Sequence, residues 1–241
     1  MPLVNGDYKH LEWDTAVYQS KDQVAYKELH DDADIHSDNQ SRLGLPTRLV
    51  AKTFLFRLIF GGSAPAYAND TEFTHVSSDE SYWQDAIDKF YEKYFGLARW
   101  HTSIVNDVVR NNGIFRIVSG RTFKFEQEWK RRERVWPRTK ILNYPVQGLG
   151  ADIMELARQV SCRRIYKACN RSLFIATVHD SLLFDCHRDE VQMVGDIMYQ
   201  VWDDLPKLFE KAYGVPYDLP CRIEIGTGMD WKNLTNLERT K

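Results

Sequence analysis

The chain has 241 residues, 43% hydrophobic and 13% aromatic, enough to bury a full core and to exclude a disordered polymer. Its 32 Lys and Arg nearly balance 34 Asp and Glu, so a net charge of −2 excludes attraction of a polyanion by overall charge, and any nucleic-acid surface has to be local. Cys162, Cys169, Cys186 and Cys221 are widely spaced without a CxxC pair, which reads as reduced thiols of the cytoplasm, not a disulfide framework or metal knuckle.

In chain order, the opening MPLVNGDYKH lacks the charged-then-apolar pattern of a signal peptide. Residues 2–8 read as a strand in spite of Asn5-Gly6, and residues 11–19 keep helical spacing. Residues 21–45 are polar and read as irregular. Pro46 then precedes TRLVAKTFLFRLIF, a helix over residues 47–60 stopped by Gly61-Gly62. Residues 79–112 read as two helices divided at Gly96, with Gly113 as C-terminal cap. IFRIV and RTFKF flank Ser119-Gly120 as a hairpin with a two-residue turn. WKRRERVWPRTK, residues 129–140, is the most basic stretch and leaves two readings open: a solvated linker anchored by packed tryptophans, or a phosphate contact.

Residues 147–168 read as a helix and residues 174–186 as two apolar strands around a polar tip. Asp189 is expected to cap a helix whose apolar face carries Val194, Ile197, Met198, Val201 and Leu205. No apolar run approaches the ~20 residues of a membrane span, so no membrane partner is expected. Strands and long helices mix without βαβ regularity, which predicts an α+β fold with an antiparallel sheet.

Asp180 sits at the tip of the second strand pair, and Asp7 ends an apolar segment in the same manner. A hairpin tip often carries Asp for turn chemistry alone. Alternatively, two such carboxylates on neighbouring strands suit two Mg²⁺ ions roughly 3.5–4 Å apart, the arrangement of phosphoryl displacement. On the helix from Thr47, residues Arg48, Lys52, Phe56 and Phe60 recur every four residues along one face, spread over roughly 18 Å. Cations on that face can hold a triphosphate and a ring can stack on a base; the alternative is core phenylalanines with snorkelling cations.

These segments, in this order, resemble the sequence blocks of family A DNA polymerases, the group of bacterial DNA polymerase one and many phage replicases. DYKHLEWD resembles the block whose aspartate binds both metals and whose glutamate closes off the sugar 2′ position, which implies those roles for Asp7, with Tyr8 beside it at the metals, and for Glu12. RLVAKTFLFRLIFGG resembles the mobile fingers helix and implies nucleotide contacts by Arg48, Lys52, Phe56 and Phe60. NYPVQGLGADI implies primer-template contacts by Asn143 and Gln147, to which Gly120-Arg121 adds Arg121. VHDSLLFD implies His179 near the primer end and the incoming nucleotide, and Asp180 as second metal ligand. Asp34-Ile35-His36, the helical pair ending at Asn112-Gly113, and GTGMDW at residues 226–231 extend the similarity along nearly the whole chain.

The resemblance implies an antiparallel palm sheet flanked by helices, residues 1–20 and 137–241, with a mostly helical fingers subdomain inserted at 21–136. It implies DNA synthesis from dNTPs on a primer-template with two Mg²⁺ ions, for which Mn²⁺ can substitute, in the cytoplasm of a bacterium or a phage-infected host. Departures from the family pattern are Phe60 for tyrosine, Arg57 for glycine, Leu55 for asparagine, Ser181 for an acidic residue, and Lys9 and His10 in the first block. The first block begins at residue 7, so we expect either a fragment or a split polymerase, in which a second chain supplies thumb and upstream palm, with or without a 3′→5′ exonuclease. The alternatives are a non-enzymatic primer-template-binding subunit that keeps the fold, and a metal-dependent nuclease.

Overall fold

Residues 1–169 and 171–240 are described by a computed structural model. Their elements run β1 (Leu3–Tyr8), α1 (Leu11–Ser20), α2 (Gln23–His30), α3 (Ile35–Leu43), α4 (Arg48–Ile59), α5 (Ala64–Ala68), α6 (Glu80–Lys93), α7 (Phe95–Arg110), β2 (Ile114–Arg116), β3 (Thr122–Lys124), β4 (Glu128–Lys130), β5 (Glu133–Val135), α8 (Arg138–Ala168), β6 (Leu173–Val178), β7 (Ser181–Asp185), a 3-10 turn (Arg188–Glu190), α9 (Val191–Tyr213), β8 (Ile223–Gly228) and β9 (Thr235–Asn236). Contacts group them into two units, Met1–Leu11 with Gly148–Lys241, and Glu12–Gln147. The chain is α+β, as the sequence predicts.

The first unit holds an antiparallel sheet in the order β6-β7-β1-β8-β9. Because successive strand residues point to opposite faces, Val4, Gly6 and Tyr8 share one face and Asn5 and Asp7 the other. α9 packs on the first of these with the apolar stripe Val194, Ile197, Met198, Val201 and Leu205, all of it buried. Each such side chain contributes about 1.5–3 kcal/mol by leaving water. Gly6, which weakens the strand signal in sequence, leaves room for α9 to pack on β1: a Cβ there would collide with Met198 Cε. Asp189 is not the helix cap expected of it; the His187 ring accepts from the Asp189 amide and caps the 3-10 turn that precedes α9.

The second unit is helical, with an aromatic core of Trp13, Phe54, Tyr67, Phe73, Trp83, Phe90 and Tyr94. Here the reading of residues 21–45 as irregular is corrected by α2 and α3. Their signal is hidden because α3 turns His36 and Asn39 inward beside Ile35 and Leu43, and Asn39 donates to the Tyr94 hydroxyl at 3.2 Å. Gly96 does not divide α6 from α7. The break falls at Tyr94 (φ −102°, ψ 62°), and Gly96 lies within α7, where a Cβ would come 2.7 Å from Asp22 Cα. That approach lets one buried carboxylate cap two helices: Asp22 Oδ1 accepts from Val24 and Ala25 at the start of α2, and Oδ2 from Leu97 in the first turn of α7.

The connection between β2 and β3 spans residues 117–121, longer than the two-residue turn expected, with Gly120 at φ 87° donating to Ile117 O. The basic stretch forms the β4–β5 hairpin and then enters α8, which starts at Arg138 and not at Gln147. Ile104, Val108, Phe125, Ile141 and Leu142 form a second buried cluster, with Trp136 packed against it.

Candidate active site

β1 and the β6–β7 hairpin bring Asp7 and Asp180 together at one end of the sheet. Asp7 lies across from Ser181 on β7, and the Tyr8 amide donates to the Asp180 carbonyl at 2.8 Å. His179 and Asp180 are the two residues between the paired Val178 and Ser181. His179 takes φ 53°, the positive angle that a primed hairpin turn demands and that costs a non-glycine residue about 1–2 kcal/mol.

Ser181 and Glu224 flank Asp7 on the two neighbouring strands. Ser181 Oγ donates to Asp7 Oδ1 at 2.5 Å. Burial raises the Asp7 pKa above the ordinary carboxylate value; the Ser181 hydrogen bond opposes this, and the charges of Asp180 and Glu224 add to it. Lys9 forms an ion pair with Glu224, so the two departures Lys9 and Ser181 both temper negative charge around Asp7. A cleft of about 520 Å³, lined in part by Asn5, Asp7, Lys9, Glu224, Thr235 and Asn236, opens on the β8 side of Asp7. The ring of Tyr8 is fully buried, its centroid 6.5 Å from that of Trp202. Tyr8 can therefore serve a cation only through its main-chain carbonyl.

Among the described residues no group of three or more His, Cys, Asp or Glu side chains is arranged to hold a metal ion. The donor set at the tip is a pair of carboxylates, one of them, Asp7, partly desolvated and crowded by like charge. That fits Mg²⁺, which keeps waters and takes one or two carboxylates plus substrate phosphates.

In the helical unit, Thr47 Oγ1 accepts from the Val50 amide and starts α4. Arg48 and Lys52 are exposed on this helix, and Phe56 and Phe60 are half-buried, Phe60 as the residue that ends it. Lys52 Nζ lies 5.9 Å from the Phe56 ring centroid, and the His36 ring is 6.1 Å from that of Phe56. Arg48 is forked onto Asp34, with Nε 3.0 Å from Oδ2 and Nη2 3.0 Å from Oδ1. Arg48, followed by Ser37, holds the Asp34 carboxyl well below the usual range. Sequence reasoning did not foresee this partner of Arg48. Arg57 points elsewhere: it pairs with Asp70 and Glu72 and lies over the Phe73 ring at 4.9 Å, fastening the segment after α5 to α4.

Asn143 and Gln147 stand one turn apart on α8, and Gln147 Nε2 donates to Glu12 Oε1 at 2.6 Å. The structure thus joins two residues for which the sequence suggests separate roles. Arg121 is exposed at the end of the β2–β3 connection.

The sheet and its acidic hairpin tip define the chain as an α+β protein with a two-carboxylate candidate site. The profile of DNA polymerase family A matches residues 1–233, and the chain belongs to that family. It is 25% identical to DNA polymerase I of Chloroflexus aurantiacus over 248 residues, 98% of this chain and 24% of that one. To DNA polymerase I of Mycobacterium leprae it is 23% identical, covering 95% of this chain and 25% of the relative, and to the thermostable DNA polymerase I of Thermus aquaticus 24%, covering 95% and 27%. The chain thus spans about a quarter of the length of these relatives. A solved structure of the POL domain of Pol1 from M. smegmatis, in complex with DNA primer-template and dNTP, shares the fold with a TM-score of 0.79 at 22% identity, over 96% of this chain and 40% of that one. No helix among the described residues is long and apolar enough to cross a membrane.

Proposed function

We propose that this chain is the palm-and-fingers part of a DNA polymerase and performs template-directed transfer of nucleotides from dNTPs to a primer 3′-hydroxyl. The observation that carries the reading is the juxtaposition of Asp7 and Asp180 at the hairpin tip, in a chain of family A. Asp7, Asp180 and the Tyr8 carbonyl would hold divalent cations, two Mg²⁺ with Mn²⁺ as substitute, which when bound supply charge stabilisation and acidify the attacking hydroxyl. The palm is assigned to residues 1–20 and 137–241 and the fingers to 21–136.

On α4, Lys52 carries no ion pair among the described residues and is ready for phosphate. Arg48 joins it by leaving Asp34, an exposed pair that solvent and salt screen. Phe56 and Phe60 offer rings to sugar and base, and His179 contacts the primer end. Glu12 excludes ribose by meeting the 2′-hydroxyl with a fixed carboxylate. Phe60 has no hydroxyl to hold Glu12, and the Gln147 amide supplies that anchor instead. Asn143, Gln147 and Arg121 contact primer-template. Thumb and upstream palm belong to a second chain or to further sequence of the same polymerase.

The test is primer extension by the active assembly with Asp7→Asn and Asp180→Asn. Either change removes a charge and conserves shape, so synthesis should fall by orders of magnitude with the melting temperature nearly unchanged. Extension by either variant at more than a small fraction of the wild-type rate refutes the assignment, and a purely DNA-binding role predicts no loss.

A further inference from the structure

The β4–β5 hairpin is a charged, aromatic projection that the catalytic reading does not use. Its two tryptophan-bearing flanks have opposite fates. Trp136 packs against the buried cluster around Ile104 and Leu142, whereas Trp129 is 74% exposed. The packed-anchor reading of the basic stretch therefore holds for Trp136 and fails for Trp129. An indole left in water costs free energy that a soluble hairpin could avoid with any polar residue.

The chemistry around Trp129 is specific. Arg134 lies directly across the hairpin from it, with its guanidinium carbon 6.0 Å from the ring centroid. Lys130, Arg131 and Arg132 are exposed and form no ion pair among the described residues. Of the two acids in the hairpin, Glu128 is taken by Lys140 at 2.5 Å, which leaves Glu133 against four cations. The turn itself places Arg131 at φ 49° and Arg132 at φ 74°. A two-residue turn with both angles positive favours Asn-Gly; here it holds two guanidinium groups at the tip of the hairpin.

We propose that this hairpin is a contact for single-stranded DNA, with bases stacking on Trp129 and phosphates held by Lys130, Arg131, Arg132 and Arg134. A ring flanked by cations is what a flexible polyanion with exposed base faces requires, and a paired duplex hides those faces. The choice of DNA over RNA and the identity of the strand as template rest on the polymerase reading; the binding of a single strand does not.

Fluorescence anisotropy of a labelled oligodeoxythymidine, titrated with the full chain without metal or dNTP, tests this. Trp129→Ala should weaken binding roughly 5- to 150-fold and Trp129→Phe much less. The double variant Arg131→Asn, Arg132→Gly gives the turn its favoured residues, so the melting temperature should hold or rise. It should nevertheless lower the slope of log affinity against log salt by about 1.4, two phosphates at about 0.7 each. Unchanged affinity in both variants, an equal loss on blunt duplex, or tighter wild-type binding to an oligouridine of the same length overturns the proposal. Because no nucleotide is present, a chain that binds the strand but cannot extend a primer fails the polymerase reading alone.

Discussion

Ser181→Ala removes one hydroxyl from beside Asp7 and nothing else of size. Ser181 is 6% exposed, and its Oγ donates to Asp7 Oδ1. Without that donor, burial and the charges of Asp180 and Glu224 act on Asp7 unopposed, so its pKa, already raised, climbs further. Asp7 must be ionised to hold a cation. Two consequences follow on the polymerase reading: the Mg²⁺ midpoint for primer extension rises about 10- to 100-fold, the usual cost of losing a partner behind a metal ligand, and the acid limb of the pH profile moves to higher pH. The fold should be spared, since only a hydroxyl is lost from a buried site and Asp7 remains half-exposed to solvent. Primer extension over a Mg²⁺ series at several pH values reads both effects, with thermal melting as control. An unchanged midpoint together with an unchanged acid limb would show that Ser181 does not position Asp7.

Legibility in the sequence followed the physics of each feature. The hairpin tip and α4 announce themselves by local pattern: apolar strands ending at Asp7 and around Asp180, and Thr47 before a four-residue repeat of Arg48, Lys52, Phe56 and Phe60. What escaped depends on register or on distant partners. That Ser181 and Glu224 flank Asp7 is a fact of strand pairing, and no one-dimensional pattern carries it. α3 escaped because its inward face is half polar, and Asn39 is paid back by Tyr94, 55 residues away. Asp22 reads as an ordinary polar residue until Gly96 and Leu97 arrive beside it. The two tryptophans of the basic stretch look equivalent in sequence, and only the cluster around Ile141 and Leu142 decides that Trp136 is packed.

On the polymerase reading, in which the Glu12 carboxylate faces the ribose 2′-hydroxyl, Gln147→Ala and Glu12→Ala should both raise ribonucleotide incorporation, because the 2.6 Å bond fixes that carboxylate; unchanged rNTP/dNTP selectivity in Gln147→Ala would leave Gln147 a primer-template contact only. Asp22→Ala strips the caps of α2 and α7 together and should cost about 3 kcal/mol, or about 6–12 °C of melting temperature for a chain of this size, with Asp22→Asn intermediate; a loss under about 1 kcal/mol would mean that water replaces the caps. His101 predicts a pH effect on stability. It is 1% exposed, its Nδ1 lies 2.8 Å from the Tyr91 hydroxyl, and burial, with a contribution from the charge of Arg138, pushes its pKa down to about 3. The unfolded chain binds this proton near pH 6.5 and the folded chain does not, so the contribution is full above 6.5 and is lost as pH falls from there toward 3. At pH 5 the deficit relative to pH 7 should be about 2 kcal/mol, at 1.36 kcal/mol per unit. Urea unfolding at both pH values, for wild type and for His101→Gln, isolates this proton from those of the carboxylates, which both proteins share. The wild type should lose about 2 kcal/mol more than the variant between pH 7 and pH 5, and identical losses would refute a neutral, buried His101.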